Sequence, residues 1–162
     1  MTQSTFRAGE VLEMAVQIER QGVTFYETCL KTELPAKIKQ VFQFLLDQEH
    51  QHIQTFQEMR QDLSDHELPE SYAGETESYM QSFVKDEVFT SPMQAAEKAE
   101  GITDASEAIE YGLKIENRSI DFYQNIKGVV PTSEREAIDG VIFQEKEHKR
   151  RLESLRKEMS EK

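Results

Sequence analysis

Two stretches of the sequence decide its fold: QEHQH at residues 48–52 and QEKEH at residues 144–148. Each contains a glutamate followed three residues later by a histidine, Glu49 with His52 and Glu145 with His148. On a helix, residues at this spacing project from one face, so each pair can reach a common metal ion. A single Glu-x-x-His arises easily by chance in a chain this rich in glutamate, and its context must therefore decide its meaning.

The sequence around these stretches is repeated. The segment IERQGVTFY at residues 18–26 precedes the first stretch, and IENRSIDFY at residues 115–123 precedes the second. An offset of 97 residues for the upstream segments, and of 96 for the later stretches, superposes identical residues: Glu19 on Glu116, Tyr26 on Tyr123, Gln48 on Gln144, Glu49 on Glu145 and His52 on His148. The repeat indicates two helical hairpins, each supplying two glutamates and one histidine.

The composition favours one all-helical domain over residues 1–162. The chain is long enough to bury a proper core. It has 37% hydrophobic and 31% charged residues, but only 7 Gly and 4 Pro. Long segments rich in Glu, Lys, Gln, Ala and Leu are typical of helices.

Charge and hydropathy exclude several functions. A net charge of -12 argues against binding nucleic acid through its phosphates. The first residues lack the apolar core of a signal peptide, and no apolar run reaches the ~18 residues of a membrane span. The single cysteine, Cys29, cannot form an internal disulfide or a four-cysteine metal site, and we expect it to be buried. We therefore expect a cytoplasmic protein with no nucleic-acid or membrane partner.

Apolar periodicity predicts two antiparallel helices in the first half. The first helix would run from about residue 6 to 31, capped by Ser4 or Thr5, and the second from about 35 to 63, with Pro35 in its first turn. Their predicted buried residues are Leu12, Ala15, Ile18, Glu19, Val23, Tyr26 and Leu30 in the first helix, and Ile38, Phe42, Leu45, Glu49, His52, Phe56 and Met59 in the second.

Residues 64–103 form a looser connection. Short helices are predicted at 75–88 and 92–99. A connection this long fits a compact bundle only if it travels the length of the molecule. The sequence therefore predicts a four-helix bundle with one long crossover between the second and third helices.

Two further helices are predicted in the second half. Thr103 or Asp104 would cap a helix over 104–127, and a last helix would open at Pro131, with Ser133 to Glu136 as a capping box. Their predicted buried residues are Ile109, Gly112, Leu113, Glu116, Ile120, Tyr123 and Ile126, then Ala137, Ile138, Val141, Glu145, His148, Leu152 and Leu155.

The repeated polar residues fall in phase with the apolar ones. Buried without partners, each would cost several kcal/mol, and a carboxylate far more. Four carboxylates carry four negative charges that no core lysine or arginine balances, whereas two divalent cations would balance them. Carboxylate and imidazole ligands suit iron or manganese. The alternative is that these residues are solvated at helix edges and that the repeat only reflects duplication of a hairpin.

The residue set resembles that of the ferritin-like di-iron carboxylate proteins, and its local sequences resemble the rubrerythrin branch. One glutamate from each of two helices and Glu-x-x-His from the other two is their ligand set. The resemblance covers nearly the whole chain and implies two iron ions per chain, with manganese or zinc as alternatives. It implies that Glu19 and His52 hold one ion, that Glu116 and His148 hold the other, and that Glu49 and Glu145 bridge them.

Four further residues are expected beside this site. In relatives, tyrosines at the positions of Tyr26 and Tyr123 donate hydrogen bonds to ligand carboxylates across the bundle, although plain core aromatics would give the same pattern. Gln48 and Gln144 each precede a bridging glutamate and either orient a ligand or are helix-surface residues. His50 and His66 have no repeat partner and are assigned to the surface.

Two departures from rubrerythrins bear on function. Many rubrerythrins carry an extra glutamate at the position of Ser119, and the equivalent position in the first helix of this chain is Gly22. The ligand set of this chain therefore resembles the symmetric set of four glutamates and two histidines in bacterioferritin. These small residues are expected to leave room for an oxidant. These 162 residues contain one cysteine and so cannot form a rubredoxin-like domain, and electrons are expected from an external donor such as a rubredoxin-type protein.

The resemblance implies a non-haem di-iron oxidoreductase that reduces either hydrogen peroxide, as a peroxidase, or dioxygen. It also implies a role in defence against oxidative stress and a homodimeric assembly. Two other functions remain open at this point. One is iron storage, with the site as the ferroxidase centre of a larger shell. The other is a metal-stabilised structural bundle without turnover.

Overall fold

The chain is described by a computed structural model, which covers residues 7–63, 78–79, 81 and 92–161. Five α-helices and one short 3-10 helix account for most of these residues, and none of them forms a strand. The helices are α1 (Ala8–Leu30), α2 (Ala36–Leu63), α3 (Pro92–Glu100), α4 (Ala105–Ile126) and α5 (Thr132–Ser160), with the 3-10 turn Lys127–Val129 between the last two.

Contacts near the helix ends give the directions of the four long helices. Arg60 near the end of α2 pairs with Glu13 near the start of α1, so these helices are antiparallel. Arg156 of α5 pairs with Glu110 of α4, so the second hairpin is antiparallel as well. Lys37 and Glu158 pair across α2 and α5, which makes those two antiparallel too. Helices α2 and α4 therefore run parallel, as a crossover that travels the length of the bundle requires.

Most predicted boundaries agree with the structure to within two residues, whereas the capping box predicted for the last helix is wrong. Asp104 caps α4 as expected, and its carboxylate accepts from the Glu107 backbone N–H at 2.8 Å. The capping box at Ser133 does not form, because α5 already begins at Thr132 with Pro131 in the N-cap position. Pro35 likewise precedes α2, where its carbonyl accepts the first helical hydrogen bonds.

The start of α1 and the crossover are only partly described. Helix α1 begins at Ala8 after Arg7, later than predicted, and Ser4 and Thr5 lie outside the described residues. Helix α3 matches the short helix predicted at 92–99. Of the helix predicted at 75–88, the described residues 78, 79 and 81 are helical, and its other residues lie outside the described part.

The predicted buried faces are largely confirmed. Every residue predicted to be buried in α2 and α4 is buried. Val23 and Leu30 are half-buried in α1, and the prediction for Ala137 is wrong because this residue is exposed. Cys29 is buried and His50 is exposed, as expected, while His66 lies outside the described residues.

Two apolar clusters fill the bundle and leave a polar layer between them. One cluster contains Leu12, Phe56, Phe122 and Ile138, and the other contains Phe25, Phe42, Ile109 and Leu152. On each long helix, the glutamates and histidines predicted as ligands lie in sequence between residues of the two clusters. The clusters therefore hold this layer in place from both ends. None of the described helices has the length and apolar character needed to cross a membrane.

Candidate metal centre

The structure brings the six glutamates and histidines of the repeat together in the centre of the bundle. All six are buried, with at most 1% of their surface exposed: Glu19, Glu49, His52, Glu116, Glu145 and His148. This excludes the alternative that they are solvated at helix edges. Their burial follows from their register, since each stands where an apolar residue of its helix would face the core.

These side chains form two overlapping groups. One contains Glu19, Glu49, His52 and Glu145, and the other contains Glu49, Glu116, Glu145 and His148. Within each group, one ligand atom from every residue lies within 4.8 Å of the others. We call Glu49 and Glu145 the shared glutamates, and Glu19 and Glu116 the outer glutamates. Each group takes three residues from one hairpin and one shared glutamate from the other.

Both histidines turn Nδ1 toward the carboxylates. Nδ1 of His52 lies 2.8 Å from Glu145 Oε1 and 3.4 Å from Glu19 Oε2. Nδ1 of His148 lies 3.4 Å from Glu49 Oε1 and 3.5 Å from Glu116 Oε2. Nδ1 is therefore the nitrogen of each ring that can bind a metal in this cluster.

Two tyrosines hold the outer glutamates by hydrogen bonds that cross the bundle. Tyr26 of α1 donates to Glu116 Oε1 of α4 at 2.7 Å, and Tyr123 of α4 donates to Glu19 Oε1 of α1. Both phenols are fully buried. Each bond occupies one carboxylate oxygen and leaves Oε2 facing the cluster. The interaction expected for these tyrosines is present, whereas plain core aromatics would not have reached a carboxylate.

The remaining polar atoms of the cluster have no hydrogen-bond partners among the described residues. They comprise Oε2 of both outer glutamates, both oxygens of both shared glutamates, and Nδ1 of both histidines. A buried polar atom without a partner is destabilising, and a buried charge more so. The atoms that lack partners are the carboxylate oxygens and imidazole nitrogens that hard or borderline divalent cations prefer, so the residues fit a pair of such ions.

The electrostatics separate the outer glutamates from the shared ones. Burial raises the pKa of Glu19, but the positive charge of His52 and the hydrogen bond from Tyr123 outweigh it and bring the pKa down to about 2. Glu116 behaves similarly, because its interactions with Glu145 and His148 overcome burial and lower its pKa. The outer glutamates are therefore ionised.

The shared glutamates have the opposite shift. Burial, followed by the negative charges of the neighbouring carboxylates, raises the pKa of both well above the usual value. Burial lowers the pKa of His52, but the adjacent Glu19 raises it to about 9, and the pKa of His148 is raised by its carboxylate neighbours despite burial. When no metal is bound, these shifts favour protons on the shared glutamates and the histidines, and the positive histidines offset the charge of the outer glutamates.

The two glutamines predicted beside the site are not equivalent. His52 donates its Nε2–H to Oε1 of Gln144 at 2.6 Å, which leaves Nδ1 to face the carboxylates. Nε2 of His148 has no hydrogen-bond partner among the described residues, so Gln48 does not make the corresponding bond. Of the two roles that the sequence left open for these glutamines, Gln144 has that of orienting a ligand, and Gln48 makes no bond to His148.

The space predicted beside Gly22 is filled. A Cβ atom added at Gly22 would lie 2.7 Å from Glu49 Oε2, because this carboxylate packs directly against the backbone of α1. Ser119 is fully buried and its hydroxyl donates to the Ile115 carbonyl at 3.0 Å. The expectation that Gly22 leaves room for an oxidant is therefore wrong, and its role is to allow this close approach of Glu49.

Two residues that touch the site were not predicted from the sequence. The ring of Phe44 stands edge-on against His148, with centroids 6.1 Å apart, and the Arg151 guanidinium lies 4.1 Å from the Phe44 centroid. The offset of 96 places Gly140 opposite Phe44 and Thr55 opposite Arg151. These two differences between the repeats, close to the Glu-x-x-His stretches, are the sequence signal that could have pointed to Phe44 and Arg151.

Comparison with known proteins agrees with this geometry. The sequence model of the rubrerythrin family matches residues 10–156. The fold is similar to the crystal structure of a ferritin-like diiron-carboxylate protein from Thermotoga maritima, with a TM-score of 0.70, 24% identity, and coverage of 98% of this chain and 99% of that one. This similarity confirms the predicted all-α, ferritin-like bundle. No sequence among functionally curated proteins matches significantly.

Proposed function

Because the chain belongs to the rubrerythrin family, we propose that it is a non-haem di-iron oxidoreductase that reduces hydrogen peroxide or dioxygen with electrons from an external donor protein. The observation that carries the proposal is the pair of overlapping buried groups joined by the shared glutamates. A single-ion site would not need two such groups. Storage of an iron mineral would in addition need many chains to assemble into a shell, and this pair of groups is not evidence of such an assembly.

In this proposal, Glu19 and His52 hold one iron, Glu116 and His148 hold the other, and the shared glutamates lie between them. Two bound iron ions supply two electrons and two Lewis-acid centres for cleavage of an O–O bond. The protein contributes a site prepared in advance, because the apolar clusters on both sides exclude water and fix the helix register.

The tyrosines and Gln144 act on the ligands. Tyr26 and Tyr123 restrain the outer glutamates by one oxygen each, so Oε2 remains aimed at the cluster. Gln144 holds the proton of His52 at Nε2, which keeps Nδ1 available to a metal. No tyrosine or amide among the described residues holds the shared glutamates, which instead lie against a histidine Nδ1 and, for Glu49, against the backbone of α1 at Gly22.

Metal binding at this cluster should release protons, because the pKa of both shared glutamates and both histidines is raised when metal is absent. Reduction of peroxide to two water molecules consumes two protons and two electrons. The reductant that we propose is a rubredoxin-type protein, and the assembly that we propose is a homodimer.

The test is an anaerobic titration of metal-free protein with ferrous ion, followed by one equivalent of peroxide. We expect two iron ions per chain and a near-ultraviolet charge-transfer band immediately after peroxide is added. Glu145→Ala removes a shared glutamate and should abolish stoichiometric iron binding, whereas Glu136→Ala changes an exposed glutamate of the same helix and should not. Iron binding without oxidation would instead identify a structural metal site, and full iron binding by the Glu145→Ala variant would refute the assignment.

A further inference from the structure

The two histidine rings of the centre lie next to each other, with centroids 5.6 Å apart, but they have different neighbours. Gln144 accepts a hydrogen bond from Nε2 of His52. No described residue bonds to Nε2 of His148, and the ring of Phe44 stands edge-on to this imidazole at an interplanar angle of 86°. One histidine is therefore held by an amide hydrogen bond, and the other lies beside an aromatic ring.

Phe44 connects the buried histidine with solvent. Its side chain is 36% exposed, whereas His148 is 1% exposed. The guanidinium of Arg151, an exposed residue of α5, stacks 4.1 Å from the centroid of the Phe44 ring. Arg151, Phe44 and His148 thus form a row of contacts that leads from the surface to the ligand cluster.

This row of contacts has no counterpart in the other half of the repeat. The residue equivalent to Phe44 is Gly140, at which an added Cβ would meet nothing within 4 Å. The residue equivalent to Arg151 is Thr55, whose hydroxyl donates to the backbone of its own helix. The arginine and the aromatic ring are therefore present beside His148 and not at the equivalent positions of the other half.

We propose that Phe44, held by Arg151, is a gate through which a divalent cation reaches the centre beside His148. Rotation of the Phe44 ring breaks only apolar and cation–π contacts, which are weaker than the hydrogen bond between Gln144 and His52. This proposal rests on the proposed metal site. It adds that a cation enters that site beside His148, past Phe44.

The test measures how fast Co²⁺ enters and leaves the full-length protein. Stopped-flow absorption follows uptake by metal-free protein, and an excess of chelator follows release. Arg151→Gln should speed both processes about two- to fivefold, the value of an exposed cation–π contact, and Phe44→Ala should speed both by more. Because a gate affects both directions equally, the equilibrium Kd should not change. Phe143→Ala is the matched control, since Phe143 is 62% exposed and makes no ring contact with either histidine.

The outcomes separate this proposal from the one on which it rests. If the parent protein does not bind two Co²⁺ ions, the proposed centre fails. If the parent binds two ions and both Phe44→Ala and Arg151→Gln keep its rates, the gate is refuted. A change in Kd without a change in uptake rate also refutes it, because Phe44 would then be supporting His148. Arg151→Gln leaves the core unchanged and decides the matter if Phe44→Ala does not fold.

Discussion

Replacing Gln144 with leucine tests whether the hydrogen bond from His52 contributes to metal binding. The 2.6 Å bond from His52 Nε2 fixes the proton on that nitrogen and the orientation of the ring. Loss of such a partner typically lowers metal affinity about 10- to 100-fold, which corresponds to about 1.4–2.8 kcal/mol. Gln48→Leu is a close control, because Gln48 is the repeat equivalent, is also half-buried, and makes no bond to His148.

The assay is an anaerobic titration with Co²⁺ that resolves the two binding steps. In Gln144→Leu we expect one step, assigned to the group of Glu19 and His52, to weaken by that factor while the other is nearly unchanged. In Gln48→Leu both steps should remain close to those of the parent. Equal losses in the two variants, or no loss in Gln144→Leu, would refute the view that the two halves are supported differently.

Three further predictions follow from the site. Tyr123→Phe leaves a carboxylate oxygen of Glu19 buried without its donor. It should lower the free energy of unfolding of metal-free protein by about 1–3 kcal/mol, measured by urea denaturation. An unchanged urea midpoint would contradict this. Gly22→Ala should displace the carboxylate of Glu49, which would lie 2.7 Å from the new Cβ, and should lower Co²⁺ affinity about tenfold. Gly140→Ala is its control: it should keep the affinity and stabilise the helix by up to about 1 kcal/mol. The pKa of His52 is raised from 6.5 to about 9, so its contribution to metal-free stability is fully present below pH 6.5 and is lost as the pH rises through 9. The Tm of metal-free protein should therefore fall across that range, and Co²⁺ affinity should rise. A Tm that increases with pH would oppose this.

The positions of the six site residues could be predicted because two independent patterns coincide at each of them. Helical phase places Glu19 and Glu116 among core residues, and the internal repeat shows that this placement occurs twice. The cost of burying a carboxylate then requires a compensating partner. No comparable coincidence marks a surface residue, which is why Phe44 and Arg151 were missed.

Local signals at helix ends were less dependable than the repeat. Ser133 fits a capping box in the sequence, yet Pro131 already occupies the N-cap position and α5 starts one residue before Ser133. Ala137 follows the apolar period, but it lies on the exposed face of the second turn of α5. A small apolar side chain contributes little to burial, so helical phase alone cannot decide its exposure.

The repeat itself was misleading where the two halves have diverged. It predicted matching roles for Gln48 and Gln144, and only Gln144 reaches a histidine. It also placed Gly22 and Ser119 together as small residues, although one allows a carboxylate to approach the backbone and the other bonds to its own helix. Such differences arise from packing between helices, which equivalent positions in a sequence do not reveal.

The crossed tyrosine bonds have a consequence for how this architecture can arise. Tyr26 belongs to the first hairpin and bonds to a glutamate of the second, and Tyr123 makes the reciprocal bond. A hairpin on its own would leave both its phenol and its glutamate unsatisfied, but two identical hairpins related by a two-fold axis would satisfy both at once. The centre is therefore compatible with an ancestor half this length that functioned only as a symmetric pair. Fusion of the two copies would then have freed each half to diverge separately, as Phe44 and Gly140 have done.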